Sequence, residues 1–245
     1  MAIVVTSLTK GTDTDGNSTA TTASVTIPAN CLATLRVNSR TSIGAGTTPN
    51  TPTATSTGAV WEAIHATEGN TEYDNSSSSR KKLSVLRTMV ASDQTSAVTI
   101  DFGGQNQTDV EWSIEVTDAT VDTSGSNGSG AVVQVVKGTD ANGGAITVNL
   151  GAFGNVNNAT MGFFANDSGT GTMTAGSGFA ALGVNAGATL NGGTEWKNSN
   201  DTSVDATFDA VVGATTGGIA IEVKALSVAG LPVIYKSNSV ASISS

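Results

Sequence analysis

Nowhere in this chain do apolar residues recur at the i, i+3, i+4 spacing of an amphipathic helix. Val, Ile and Thr gather instead in short runs, often alternating with polar residues and closed by Gly, Asn, Ser or Asp. A period of two places alternate side chains on opposite faces of a strand. Such runs predict strands at Ala2–Leu8, Ala23–Ile27, Leu32–Asn38, Val60–His65, Leu83–Val90, Ala97–Phe102 and Val110–Val116. The second half adds Val132–Val136, Ala145–Leu150, Ala159–Phe164, Phe179–Gly183, Val204–Phe208, Gly218–Val223 and Val233–Lys236. Turn-rich stretches such as "FGGQNQT" and "TSGSNGSG" supply residues that tolerate positive φ. The expected class is all-β, an antiparallel β-sandwich of jelly-roll or immunoglobulin-like type.

One strand is written almost twice, as "EWSIEV" at Glu111–Val116 and "GIAIEV" at Gly218–Val223. Other pairs follow in the same order: "ASVTIPANCLATLRVNS" with "AITVNLGAFGNVNNATMGFFAND", "TGAVWEAIHA" with "GSGFAALGVNA", and "SAVTIDF" with "SVDATFD". The pattern predicts an internal duplication. It divides the chain into an N-terminal strand or arm (1–22), lobes at 23–130 and 131–230, and a C-terminal arm (231–245). The lobes are either two similar sandwiches or halves of one large one. Ile114 and Ile221 are expected at equivalent core sites. In "EWSIEV", Trp112, Ile114 and Val116 are expected inside, with Glu111, Ser113 and Glu115 on a solvated face, as antiparallel sheets allow. In the second copy Ile219, Ile221 and Val223 take the inner face, and Ala220, Glu222 and Lys224 the outer.

Charge narrows the function classes. Of 245 residues 13% are charged, about half the usual quarter, and the net charge is −9 with a pI near 4.4. Phosphate backbones repel such a chain, which argues against direct nucleic-acid binding. The single cysteine, Cys31, excludes an internal disulfide. The N-terminal stretch lacks the basic and apolar regions of a signal peptide, and no segment approaches 18 apolar residues. Synthesis and folding in a cytoplasm are expected, with no membrane partner. The sequons at Asn75 and Asn158 carry little weight in that setting.

Catalytic constellations fare poorly. Glu111 and Glu115 share a strand face but stand about 13 Å apart at the usual rise, beyond the roughly 5–9.5 Å of glycosidase pairs. His65 is the only histidine, so any Ser-His or Cys-His chemistry must use it. Cys31 reads as a small buried hydrophobe, and one Cys with one His is too few for zinc. "TDTDGNST" sets Asp13, Asp15 and Asn17 at alternate positions, as at the start of a calcium loop, but Ser24 occupies the twelfth position. An ordinary Asp-Gly turn is the preferred reading. No enzyme, metal or cofactor is expected.

Two groups remain as contact candidates. Trp61 and Trp196 are the tryptophans open to an exposed, glycan-stacking role, whereas Trp112 reads as core. Arg80, Lys81 and Lys82, in "SSSSRKKLSVLR", form either a patch that docks an anion or a partner, or, as preferred, the solvated start of a strand.

The stretches "DFGGQNQTDVEWSIEVTDATVDTSGSNGSGAVVQ" and "SGFAALG…TEWKNSNDTSVDATFDAVVGATTGGIAIEVKA" resemble segments of accessory virion proteins of tailed bacteriophages, particularly capsid decoration (cement) proteins. The resemblance is one of style and strand order over most of the chain, and no functional residues carry over. It implies homo-oligomers bound to the major capsid protein on the capsid exterior, made in the host cytoplasm. It also implies terminal arms, among them Met1–Asn17, that order on assembly. The competing class is a head-fibre, tail or adhesin module that binds glycans through Trp61, Trp196 and the polar loops.

Overall fold

The computed structural model of the chain describes residues 2–41, 47–76, 79–141, 143–167, 171–186, 190–209 and 214–227. Its first half runs through β1 (Val5–Asp13), β2 (Thr19–Thr21), β3 (Val25–Ile27), β4 (Ala33–Thr41), β5 (Thr53–Ser56) and β6 (Ala59–Val60). It continues with β7 (Glu62–Ala63), β8 (Asn70–Ser76), β9 (Ser79–Thr88), β10 (Gln94–Ser96), β11 (Thr99–Asp101) and β12 (Gln107–Thr117). A 3-10 turn at Ser129–Ala131 leads into the second half. There follow β13 (Val132–Asp140), β14 (Ala145–Asn149), β15 (Ala159–Asn166) and β16 (Met173–Ala175), then β17 (Ala180–Ala186), β18 (Asn191–Lys197), β19 (Ser203–Phe208) and β20 (Thr216–Val223). Every strand pair is antiparallel, and no α-helix occurs among the described residues.

The strands stack as four layers. The large sheet of the first half has the order β1-β12-β4-β9, with β7 and β8 both on the outer edge of β9. One face of it covers two small sheets, β2-β11-β5-β6 and β10-β3, over a core that includes Leu35, Val37, Ile100, Phe102, Trp112 and Ile114. The large sheet of the second half, β13-β20-β15-β18-β17, covers β14-β19-β16 over Ile146, Val148, Phe164, Val204 and Phe208. The remaining faces of the two large sheets meet each other. There Val5, Leu83, Val85 and Tyr73 pack against Met161, Phe163, Ile219 and Ile221.

The sandwich-type, all-β expectation holds. The two halves also share a strand order. In each, the first strand pairs with the last (β1-β12, β13-β20), and the next strands inward are β4-β9 and β15-β18. The repeated peptide does not obey that correspondence. Ile114 faces the small sheets of its own half, whereas Ile221 faces the other half. Because side chains alternate with a period of two, a one-residue offset sends matching letters to opposite faces. The expectation of equivalent sites for Ile114 and Ile221 is therefore corrected.

Two further expectations change. Segment 1–22 supplies β1 and β2, which pair with β12 and β11, so Val5–Asp13 is an integral edge strand of the large sheet. The solvated face assigned to "EWSIEV" does not exist: Glu111, Ser113 and Glu115 are each 0% exposed. Glu222 and Ala220, read as outward, are also buried. A strand with a sheet on either side has no wet face, whatever its alternation suggests. The C-terminal arm (231–245), and with it the strand expected at Val233–Lys236, lies outside the described residues.

Candidate functional site

The alternation in "ATLRVN" and "EWSIEV" gathers Thr34, Arg36 and Asn38 of β4 and Glu111, Ser113 and Glu115 of β12 on one face, and that face meets β17 and β18. Arg36 is fully buried and donates from Nη2 to Glu111 Oε1 at 2.9 Å, from Nη2 to the Gly183 carbonyl at 3.3 Å and from Nε to Ser113 Oγ at 3.2 Å. Asn38 Nδ2 donates to Glu111 Oε2 at 3.1 Å, and its Oδ1 accepts the Tyr73 hydroxyl at 2.6 Å. From the second half, Asn185 Nδ2 reaches the Trp112 carbonyl at 3.0 Å, and Asn38 reaches the Asn191 carbonyl at 3.4 Å. A continuous polar seam thus joins the halves beside their shared apolar core.

Glycines on the second half make room for these side chains. A Cβ at Gly192 would lie 2.2 Å from Arg36 Nη1, and one at Gly183 would lie 2.3 Å from Glu115 Oε1. Glu115 is pushed up to about 7, chiefly by burial. Arg36, Ser113 and Thr194 oppose that shift, yet neither hydroxyl stands in hydrogen-bond geometry with the carboxyl oxygens. On the opposite face of β18, Glu195 is pushed up to about 8 by burial, although its Oε2 accepts the Gly176 amide at 2.8 Å.

The basic cluster is not the solvated start of a strand. It lies on β9, between β4 and β8, and its side chains are engaged. Lys81 is 6% exposed and bridges Asp74 of the first half (3.0 Å) to Asp167 of the second (3.6 Å). Arg80 donates to Thr48 Oγ1 at 2.9 Å and stands 3.8 Å from Glu72. Lys82 donates to Thr51 Oγ1 at 3.3 Å, and burial lowers its pKa. The tryptophans are not brought together either. Trp61 is buried in the first-half core with its indole N–H on Ser56 Oγ at 3.0 Å. Trp196 is half-buried against the core between the halves.

The remaining candidates resolve locally. His65 is exposed, and its Nδ1 accepts the backbone N–H groups of Thr67 and Glu68, a turn-capping role. Cys31 sits in the first-half core, and burial raises its thiol above the usual value, the wrong direction for a nucleophile. Asp13 accepts the Asp15 amide at 2.9 Å in an ordinary Asx turn around Gly16. Among the described residues no three His, Cys, Asp or Glu side chains converge as a metal site requires. No described helix is long and apolar enough to cross a membrane.

Two open clefts flank β13, of about 430 and 410 Å³. Glu222 is among the residues lining the first, and its buried carboxyl accepts Gln134 Nε2 at 2.7 Å and the Asn158 side-chain amide. Lys224 lines the same cleft, paired with Asp122 at 2.6 Å. With Ser124 it holds Asp122 well down, at about 2. A third cleft of about 620 Å³ is lined by Glu72, Lys82 and Lys137. No protein-family model, curated protein or solved structure matches the chain. Residue-level reasoning on the sequence passed over Arg36, Asn38, Tyr73, Glu195 and the glycines of β17 and β18. The alternation around Arg36 was the available signal; nothing in it told solvent from a second sheet.

Proposed function

We propose that this chain is a non-enzymatic structural protein of a virus particle, a decoration or cement protein that binds the outer surface of a tailed-phage capsid and stabilises the shell. Its partners are the major capsid protein and further copies of itself, with no direct contact to nucleic acid or membrane. The observation that carries the reading is the way its charge is used. Arg36, Lys81 and Arg87 serve internal bonds, and Arg36 and Lys81 tie one half to the other, which makes a stiff four-layered slab. Stiffness suits a clamp that must transmit load between capsomers. The net charge of −9 suits an outer position, away from packaged DNA.

The test is electron microscopy of phage capsids assembled with and without the chain. Density at every equivalent lattice position, with a higher bursting temperature for decorated shells, is the expected result. Failure to bind any shell, or a few copies at a tail tip, overturns the reading in favour of a glycan-binding module. That alternative has already lost one of its two tryptophans, since Trp61 is only 7% exposed.

A further inference from the structure

The cleft of about 620 Å³ lies where the edge strand β8 of the first half meets β13 of the second. Its walls are polar: apart from Ala66, every lining residue carries a hydroxyl, an amide or a charge. A lysine reaches it from each half. Lys137 of β13 is half-buried, and its Nζ donates to the backbone carbonyls of Thr67 at 3.1 Å and Asn70 at 3.2 Å. Lys82 of β9 is 9% exposed, and its Nζ donates to Oγ1 of the exposed Thr51 at 3.3 Å. Thr51, Thr67 and Asn70 all line the cleft, so these bonds set both ammonium groups at its wall.

Among the described residues neither lysine forms an ion pair. Their bonds go to neutral oxygens, and an ammonium has three donors, so each keeps an N–H group for a ligand. A cation drawn out of water without a counter-charge is costly, and burial lowers the Lys82 pKa accordingly. One carboxylate lines the cleft, that of Glu72, opposite Lys82 in the β8-β9 pair. Its Oε2 accepts Thr48 Oγ1 at 3.2 Å and stands 3.8 Å from Arg80, and neither of those residues lines the cleft. Its other oxygen is an acceptor for a hydroxyl. A ligand that suits this wall has an anionic group for the lysines and hydroxyls for Glu72 and the threonines. It needs no apolar face. A sugar acid has that composition, whereas a polyanion is repelled by a chain of net charge −9.

We propose that this cleft binds an acidic sugar, with its carboxylate on Lys137, the more open of the two ammonium groups, and its ring hydroxyls toward Lys82, Glu72 and Thr139. Charge-assisted bonds to the carboxylate take the place of the aromatic stacking that a neutral sugar would need. Neither Trp61 nor Trp196 lines the cleft. The assignment does not rest on the particle role proposed above.

The test uses the full-length chain, labelled with nitrogen-15 and titrated with sodium galacturonate. Two controls divide the ligand: galacturonate methyl ester keeps the hydroxyls without the charge, and sodium acetate keeps the charge without the hydroxyls. Saturating shifts of the Thr67, Asn70, Lys137 and Thr139 amides are expected, with a dissociation constant on the order of millimolar. Each control is expected to bind at least about tenfold more weakly, the ester through loss of roughly one charge-assisted hydrogen bond. Lys137→Gln should bring galacturonate down to the affinity of its ester. Thr139→Glu, at an exposed strand position, should abolish galacturonate binding by setting a like charge in the cleft. It carries the test if Lys137→Gln lowers the melting temperature. Acetate binding as tightly as galacturonate would make this a site for adventitious anions only and overturn the proposal. So would equal affinity for the ester, no saturating shift, shifts confined to other residues, or an unaffected Thr139→Glu protein.

Discussion

Raising the pH from 5 to 8 should destabilise this protein, and Glu115 should account for a defined part of the loss. Its carboxyl is sealed between β12 and the second half, and burial holds it near 7 against an ordinary 4.5. The charged group that acts on it is Arg36 on β4, which favours the ionised form. β17 and β18 present Gly183 and Thr194 to it. A carboxyl whose folded pKa is raised binds its proton more tightly when folded than when unfolded. Its contribution is complete below about 4.5 and is lost as the pH climbs through about 7. The interval of about 2.5 pKa units corresponds to about 3 kcal/mol. For a chain of this size that lowers the melting temperature by roughly 6–12 °C. Glu195, near 8, acts in the same direction, so the variant Glu115→Gln separates the two. Cys31 and Tyr73 stay out of the window, because burial pushes them further above already high values. Urea unfolding of both proteins at pH 5, 6, 7 and 8 provides the measurement. The wild type should lose about 2.5 kcal/mol more than Glu115→Gln across the series, since part of the contribution is already gone at pH 5. Equal slopes for the two proteins, or a wild type that gains stability with pH, would refute the burial argument.

Three other outcomes can be checked by denaturant melts. Gly192→Ala should cost about 1–3 kcal/mol, because its Cβ meets Arg36 Nη1 at 2.2 Å and the immovable Phe164 carbonyl at 2.6 Å. Arg36→Ala should cost about 3–5 kcal/mol by leaving Glu111 buried without its cation, whereas Arg36→Met combined with Glu111→Gln should recover nearly all of that loss. Trp61→Phe should cost about 1 kcal/mol through the lost bond to Ser56, and should leave binding to any glycan array unchanged because the ring lies in the core.

The fold class was legible because alternation and turn chemistry are local. β14, with its strict exposed-buried alternation, is the plainest case. The positive φ values of Gly103, Gly104 and Asn127 fall in the two turn-rich stretches named from the sequence. The strands that escaped are instructive. β8 ("NTEYDNS") and β18 ("NGGTEWK") are written in residues that signal turns. β18 nevertheless runs through the interior, with Asn191, Thr194 and Glu195 at 0% exposure. Its glycines are there because Arg36 from the first half and Met173 from the second occupy the space a side chain would take. That reason lies more than 150 residues away for Gly192, beyond any window of local reasoning. The misreading of Glu111, Ser113 and Glu115 has the same origin. Alternation reports that a strand has two different faces, and solvent is only one of the environments that accept a polar face.

This leaves the question of why a chain so sparing with charge places arginine, glutamate and asparagine between its two halves. Apolar packing of similar volume would hold the sheets together at least as firmly, since a buried ion pair gains little once desolvation is counted. Apolar sheets, however, slide. Met161, Phe163, Ile219 and Ile221 offer the first half an apolar surface with no side-chain hydrogen bond to fix its position. Arg36 has one position: its guanidinium lies against Gly192 and donates to the Gly183 carbonyl, and a shift to the next residue on the same face of β18 would set the Thr194 side chain in that place. Asn185 on the Trp112 carbonyl and Lys81 between Asp74 and Asp167 impose the same register at two further points. The seam therefore specifies position more than it adds stability. On that account Arg36→Met with Glu111→Gln should unfold at nearly the wild-type denaturant concentration yet broaden the amide resonances of β17 and β18, as neighbouring registers become populated. Sharp, wild-type-like resonances in that variant would mean that the apolar contact alone fixes how the two halves meet.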